Sequence, residues 1–293
     1  MLLASTGSLL INSRKALSAA PRLATAMVTS LPGPQDEENY SRPMRIVVVG
    51  GQGLLGTALV QRLEARGVTV SSASRRTGVD LATGAGLEAA LDGVECVVHA
   101  AVNPLRHRQV NFDGTRRLIK ILVGRSTPPH VIYPSIVGCD RIPFRYYRAK
   151  YASELVLERS QLPVTVVRAT QFHTVVAAVA RTVTLGPVAV VPDGMSFQPC
   201  DHRWVASELA DIALGPAPSG YDRAADRAGP ERLSLADAVA LIRVAEGRRS
   251  PRLITLPPVG GTLRAFQAGA NLPDPGTKIG GSSFQRFLEE PRR

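Results

Sequence analysis

Aromatic residues are scarce, at 5% of 293 residues. That argues against the stacking platforms on which single-strand nucleic-acid binders rely. Cysteines are few: Cys96, Cys139 and Cys200 stand far apart, with no CxxC and no metal-ligand spacing. No metal site is expected, and a reducing compartment fits best. No apolar run approaches the ~18 residues that suggest a membrane span, and the stretch Val175–Ala180 stops at Arg181. The formal net charge is +11, yet the basic residues are scattered, with no long run. That pattern points to an arginine-rich composition and a site for an anion rather than to a nucleic-acid footprint.

Acids are missing from the start of the chain, where none precedes Asp36. Residues 1–43 carry Arg14, Lys15 and Arg22 and are dominated by Ser, Ala and Leu, as organelle transit peptides are. Residues 31–38 then read as a linker. The favoured reading is upstream sequence outside the working fold, with a disordered or targeting-like extension as the alternative. Met44 is then the functional start, because it directly precedes the first strand. A cytoplasmic protein is expected, with organelle targeting through residues 1–43 as the alternative.

From Arg45 onward short apolar runs alternate with helical stretches. Ile46-Val47-Val48-Val49 is β-branched and continuous, as a strand covered on both faces must be. Leu55, Leu59 and Leu63 recur at helical spacing, and Gly67 ends that helix. Further strands are predicted at Val68–Val70, Val94–His99, Val131–Tyr133 and Val164–Val167. Helices are predicted over Leu87–Leu91, Asp113–Val123 with Asp113 as N-cap, and Tyr146–Arg159. This cadence means βαβ units and a parallel sheet. After Arg168 the rhythm loosens into small elements, read as a C-terminal lobe. The expected division is an extension over 1–43, a nucleotide-binding core over 44–185 and a substrate lobe over 186–293.

The loop Gly50-Gly51-Gln52-Gly53-Leu54-Leu55-Gly56 lies between the first strand and its helix. Glycines there meet three demands: a tight turn, backbone approach to a pyrophosphate, and close helix–strand packing. The helix N-terminus adds free N–H groups and positive partial charge for phosphates. Such a site makes the fold a Rossmann-type doubly wound α/β sheet. After the second strand, an NAD site expects an acid for the ribose 2′-hydroxyl, whereas this chain reads Ser74-Arg75-Arg76, with no acid until Asp80. Two arginines suit a 2′-phosphate, so NADP(H) is the expected cofactor and NAD(H) the lesser alternative.

Tyr146 and Lys150 are four apart at the start of a predicted helix and share one face. Ser135 ends the preceding strand. An ammonium beside Tyr146 is expected to lower its pKa from about 10, leaving Ser135 to hydrogen-bond a substrate oxygen and Tyr146 to carry the proton. The phenol alternatives Tyr147 and Tyr151 lack the spacing to Lys150.

With these motifs the chain resembles the short-chain dehydrogenase/reductase superfamily over roughly residues 44–215, most closely the extended and atypical, NmrA-like members. The resemblance implies that Asp80 and Leu81 lie by the adenine and Ala100 and Ala101 under the ribose. It further implies that Asn111 supports the proton relay and that Arg168 through His173 follow the fifth strand beside the nicotinamide. The family's Pro-Gly after that strand is absent. His173 and His202 read as structural, and Asp201 as the cap of a helix running to Leu214. The expected activity is NADP(H)-dependent oxidoreduction of a carbonyl, hydroxyl or quinone compound. The alternatives are a noncatalytic NAD(P)H-binding sensor and an epimerase or dehydratase. The expected partner is a small molecule, with no nucleic acid and no membrane span, and a homodimer is left open.

Overall fold

A computed structural model of the chain describes residues 44–103 and 105–290. The extension assigned to residues 1–43 lies outside the described residues.

The first half is a run of strand–helix units. These are β1 (Arg45–Val49), α1 (Leu54–Glu64), β2 (Thr69–Ala73), α2 (Leu87–Leu91), β3 (Cys96–His99), α3 (Asp113–Leu122), β4 (His130–Ile136), α4 (Arg145–Glu158) and β5 (Val164–Ala169). The continuous apolar run of β1 has a direct cause. Val47 and Val49 enter one core with Leu118, Leu122 and Leu157. Ile46 and Val48 enter the opposite core with Leu55, Leu59 and Leu63. A strand with both faces covered has no polar side to show.

After β5 come α5 (His173–Thr182), β6 (Thr184–Leu185), β7 (Val188–Pro192), β8 (Ser196–Phe197), α6 (His202–Leu214), β9 (Tyr221–Arg223) and β10 (Arg227–Ala228). They are followed by β11 (Leu233–Ser234), α7 (Leu235–Ala245), β12 (Arg252–Leu256), α8 (Gly260–Gln267), β13 (Lys278–Ile279) and α9 (Phe284–Glu289). The main sheet has eight strands in the order β13-β10-β5-β4-β3-β1-β2, with β9 also beside β5. Its pairings are parallel. The sequence order reverses between β1 and β3, where the strands' carboxyl ends leave a crevice.

Two expectations need correction. A division at 185/186 separates what the fold joins, because β9, β10 and β13 complete the main sheet. Helix α6 buries Val205, Ala206, Leu209 and Ala210 in the core that also holds α1, and Arg66 pairs with Asp211 at 2.7 Å. The lobe is therefore woven from α5, β6–β8, α7, β12, α8 and α9, around Val176, Val191, Phe197, Val239 and Phe266. Strands of two residues leave no periodic trace, which is why sequence pattern hides this return. Secondly, Asp113 does not cap α3. A π-helical turn, Arg108–Phe112, runs directly into that helix, so the chain is already helical before Asp113. Asp201 does cap α6, accepting the Arg203 N–H at 2.8 Å.

Among the described residues no helix is long and apolar enough to cross a membrane.

Candidate functional site

A cavity of about 1000 Å³ opens along the carboxyl ends of β1–β5. That lies at the upper end of ordinary ligand sites.

Its floor is the glycine loop. Gly50 has φ +86°, and a Cβ there would lie 2.5 Å from the Ala101 backbone. The loop closes through the Gly53 N–H, which donates to the Gly50 carbonyl at 2.9 Å. A Cβ on Gly56 would meet that same carbonyl oxygen at 2.2 Å, so Gly56 packs helix against turn. Gly53 is the open position: a Cβ there has one close neighbour, the Gly50 oxygen at 3.3 Å. It is the N-cap of α1, with no side-chain cap and no acid in the first turn. Donors and positive partial charge therefore face the cavity, a cradle fit for a pyrophosphate. Gly50, Gly53, Leu54 and Leu55 line the wall, while Gly51 and Gly56 support it from behind.

At the far end of the floor, β2 delivers Ser74, Arg75 and Arg76 to the wall. Ser74 is fixed by its N–H donating to Thr77 Oγ1 at 2.8 Å. Both arginines are exposed, and neither forms an ion pair among the described residues. Asp80 and Leu81 also line this end. Asp80 Oδ1 accepts the Ala82 N–H at 2.8 Å, and the Leu81 carbonyl accepts from Arg117 at 3.0 Å. Ala100 and Ala101 form the side beneath β3.

Ser135, Tyr146 and Lys150 share the opposite wall. Lys150 is 2% exposed. Its Nζ donates to the Pro134 carbonyl and lies 3.9 Å from the centroid of the Tyr133 ring. Burial pulls the Lys150 ammonium down to about 8, against the raising effects of Glu154 and Cys139. Tyr146 does not behave as its spacing suggested. Burial pushes its hydroxyl up to about 12, with the Cys139 thiol adding to the rise. Desolvation sets this rise, while the Lys150 ammonium is hydrogen-bonded to the Pro134 carbonyl.

Beneath the wall lies a buried polar network. His99 Nε2 and Thr115 Oγ1 are 3.0 Å apart, and burial, then the Lys150 charge, holds His99 near 3. The Asn111 carbonyl accepts from Ser153 Oγ at 3.0 Å and from Thr115 Oγ1. Asn111 Oδ1 accepts the Asn103 N–H at 3.0 Å. Asn111 is thus tied into this network and is not part of the cavity wall.

Arg168 requires a correction. Its guanidinium binds Glu154 at 2.6 Å and Asp140 at 3.0 Å, and it does not line the cavity. The next residues of the chain, Ala169 to Phe172, do line it. Sequence reasoning missed the lobe's contribution: Val175, Val179, Met195, Phe197, Thr262 and Phe266. These lie on separate elements and form no motif, so no signal marked them. His173 sits in the core, with Nε2 3.2 Å from the Pro199 carbonyl and its ring 5.1 Å from that of Phe287.

The fold is a Rossmann-type α/β fold, like that of solved short-chain dehydrogenase/reductase structures. Residues 46–132 match the model of the NAD dependent epimerase/dehydratase family. Three solved structures illustrate the likeness. One is a short-chain dehydrogenase/reductase superfamily protein from Agrobacterium tumefaciens with bound NAD (18% identity, TM-score 0.60, covering 84% of this chain and 95% of that one). Another is Thermus thermophilus UDP-glucose 4-epimerase in complex with NAD (19%, 0.58, 84% and 97%). The third is an NADPH-dependent quinone oxidoreductase from Escherichia coli (15%, 0.60, 83% and 98%). No curated protein matches the chain in sequence.

Proposed function

We propose that the protein is an NADP(H)-dependent oxidoreductase acting on a carbonyl, hydroxyl or quinone compound, with Tyr146 as its proton carrier. One observation carries this reading. A single cavity runs from the open backbone at Gly53, past Arg75 and Arg76, to Ser135, Tyr146 and Lys150. Gly50, Gly53 and the first turn of α1 hold the pyrophosphate. Arg75 and Arg76, with no acid beside them in β2, favour a 2′-phosphate. Asp80 and Leu81 bound the adenine end, and Ala100 and Ala101 the ribose. When bound, the nicotinamide supplies or accepts a hydride. Ser135 orients the substrate oxygen, and Tyr146, protonated at neutral pH, donates to it during reduction. Lys150 adds positive charge to that wall and stabilises negative charge as it develops.

Fluorescence titration with NADPH and NADH tests the cofactor, and NADPH oxidation across a carbonyl and quinone panel tests the activity. Firm NADPH binding with no turnover, and a Tyr146→Phe variant indistinguishable from the wild type, would favour a noncatalytic NADP(H) sensor. The hydrogen bond of Lys150 Nζ to the Pro134 carbonyl is the observation on which that second reading rests.

A further inference from the structure

The two ends of the cavity differ in chemistry. The charged wall residues are Arg75, Arg76, Asp80, Arg106 and Lys150, all from the nucleotide-binding half of the chain. None of the wall residues that follow Lys150 in the chain bears a charge. Their polar groups are already engaged. Gln171 Nε2 donates to Tyr147 Oη at 2.8 Å, and its Oε1 accepts from Asn271 at 3.4 Å. Thr170 Oγ1 donates to the Gln198 carbonyl at 2.6 Å, and Thr262 Oγ1 to that of Pro143 at 3.4 Å.

The rest of this end is rings and aliphatic side chains. Phe144, Tyr147, Phe266 and Phe197 form a chain of tilted and edge-on contacts, with successive centroids 6.1, 6.0 and 6.0 Å apart. Phe144 and Val175 line the cavity yet are 48% and 46% exposed. Exposed apolar groups gathered at a cavity mark where a ligand is bound. Aromatic walls reward a flat apolar ring through edge and offset contacts. A diphosphate against the lobe wall would leave water with no cation of the lobe to meet it, a costly burial.

We infer that the substrate is a neutral, mainly apolar ring compound bearing a carbonyl, of the aryl ketone type, and not a nucleoside-diphosphate sugar. This rests on the reading that the glycine-loop end holds NADP(H). In the reduction the carbonyl carbon gains a hydride from the reduced dinucleotide, which is oxidised by two electrons. The C=O π pair takes the proton of the Tyr146 hydroxyl, so one C–H and one O–H bond form. Water then returns a proton to Tyr146.

The test is calorimetric titration of the full chain, first with NADP+ and then, when saturated, with 2-acetylnaphthalene or UDP-glucose. The expected result is binding of 2-acetylnaphthalene at least about tenfold tighter than UDP-glucose. Phe144→Ala removes a ring and Val175→Arg puts a cation at the mouth. Each should weaken 2-acetylnaphthalene about tenfold, with NADP+ affinity held. Both positions are surface-exposed, so neither change endangers the fold. Firm NADP+ binding with UDP-glucose equal or preferred overturns the inference and leaves the cofactor reading standing, as does indifference of 2-acetylnaphthalene to both variants. Failure to bind NADP+ overturns the cofactor reading and the reduction together.

Discussion

Lys150 Nζ lies 3.9 Å from the ring centroid of Tyr133, on the side of α4 that faces β4. The contact fixes a cation inside the fold with one carbonyl, that of Pro134, as its hydrogen-bond partner. A single acceptor and a ring face replace only part of an ammonium's hydration.

The stability consequence follows from the depressed pKa. Below about 8 the folded and unfolded chains both hold the Lys150 proton, and folding bears the full cost of burying the charge. Between about 8 and 10.5 the folded chain has released it and the unfolded chain has not, so stability from this group rises with pH. Lys150→Met should therefore stabilise the cofactor-free protein by roughly 1–3 kcal/mol at pH 7. The advantage should shrink as pH climbs through that window. Urea unfolding of both proteins from pH 6 to 10 measures it. A variant less stable at pH 7 would contradict the argument.

Glycine geometry separates folding from binding. Gly56→Ala places a methyl 2.2 Å from the Gly50 oxygen and must shift the turn, so melting temperature should fall. Gly53→Ala meets that oxygen at 3.3 Å and otherwise fills the cavity floor. It should keep its melting temperature within a few degrees and lose on the order of tenfold or more in NADPH affinity. Equal losses of affinity and stability in both variants would refute the distinction.

Arg168 and Glu154 form a buried pair, with side chains 5% and 3% exposed. Removing one partner strands the other's charge. Arg168→Met should cost about 3–5 kcal/mol in urea unfolding, while NADPH affinity in the folded protein stays within about twofold, because the side chain does not reach the cavity. A loss of affinity without a loss of stability would put Arg168 back beside the cofactor.

The residues themselves explain what was legible in the sequence. β1 announces its two buried faces by an unbroken apolar run, and α1 by Leu55, Leu59 and Leu63 at helical spacing. The glycine loop is legible because close backbone approach admits almost no other residue. The environment of a side chain is not legible. Spacing brought Lys150 and Tyr146 to one face, but the direction of the ammonium depends on the Pro134 carbonyl and the Tyr133 ring. Arg168 likewise carries the charge of a ligand group, and only the fold brings Glu154 and Asp140 to it. The lobe wall was hidden because Phe197 and Phe266 meet only through tertiary packing.

The exposed pair Arg75 and Arg76 should act through charge. Arg75→Ala/Arg76→Ala should lower NADPH affinity about tenfold at low salt and leave NADH nearly unchanged. The NADPH effect should shrink as salt rises, since both groups face solvent. Wild-type affinities that are equal for the two cofactors would rule out the preference.

Tyr146 is the proposed proton carrier. Its hydroxyl is pushed up to about 12, so it holds its proton throughout the neutral range and is a donor as it stands. Reduction needs a donor, so its rate should show no ionisation of Tyr146 between pH 6 and 9. Oxidation needs the tyrosinate, a small fraction at neutral pH that grows tenfold per unit, so that direction should accelerate steadily with alkali. Tyr146→Phe keeps the ring and its contact with Tyr147, 5.9 Å between centroids, and removes the proton carrier alone. Turnover should drop on the order of 10²–10⁴-fold in both directions with NADPH affinity held. A residue that only packs would give a small change in melting temperature and intact turnover. Steady-state rates in both directions, wild type against Tyr146→Phe, distinguish the two, and a variant that keeps both its rate and the alkaline rise in oxidation would remove Tyr146 from the reaction.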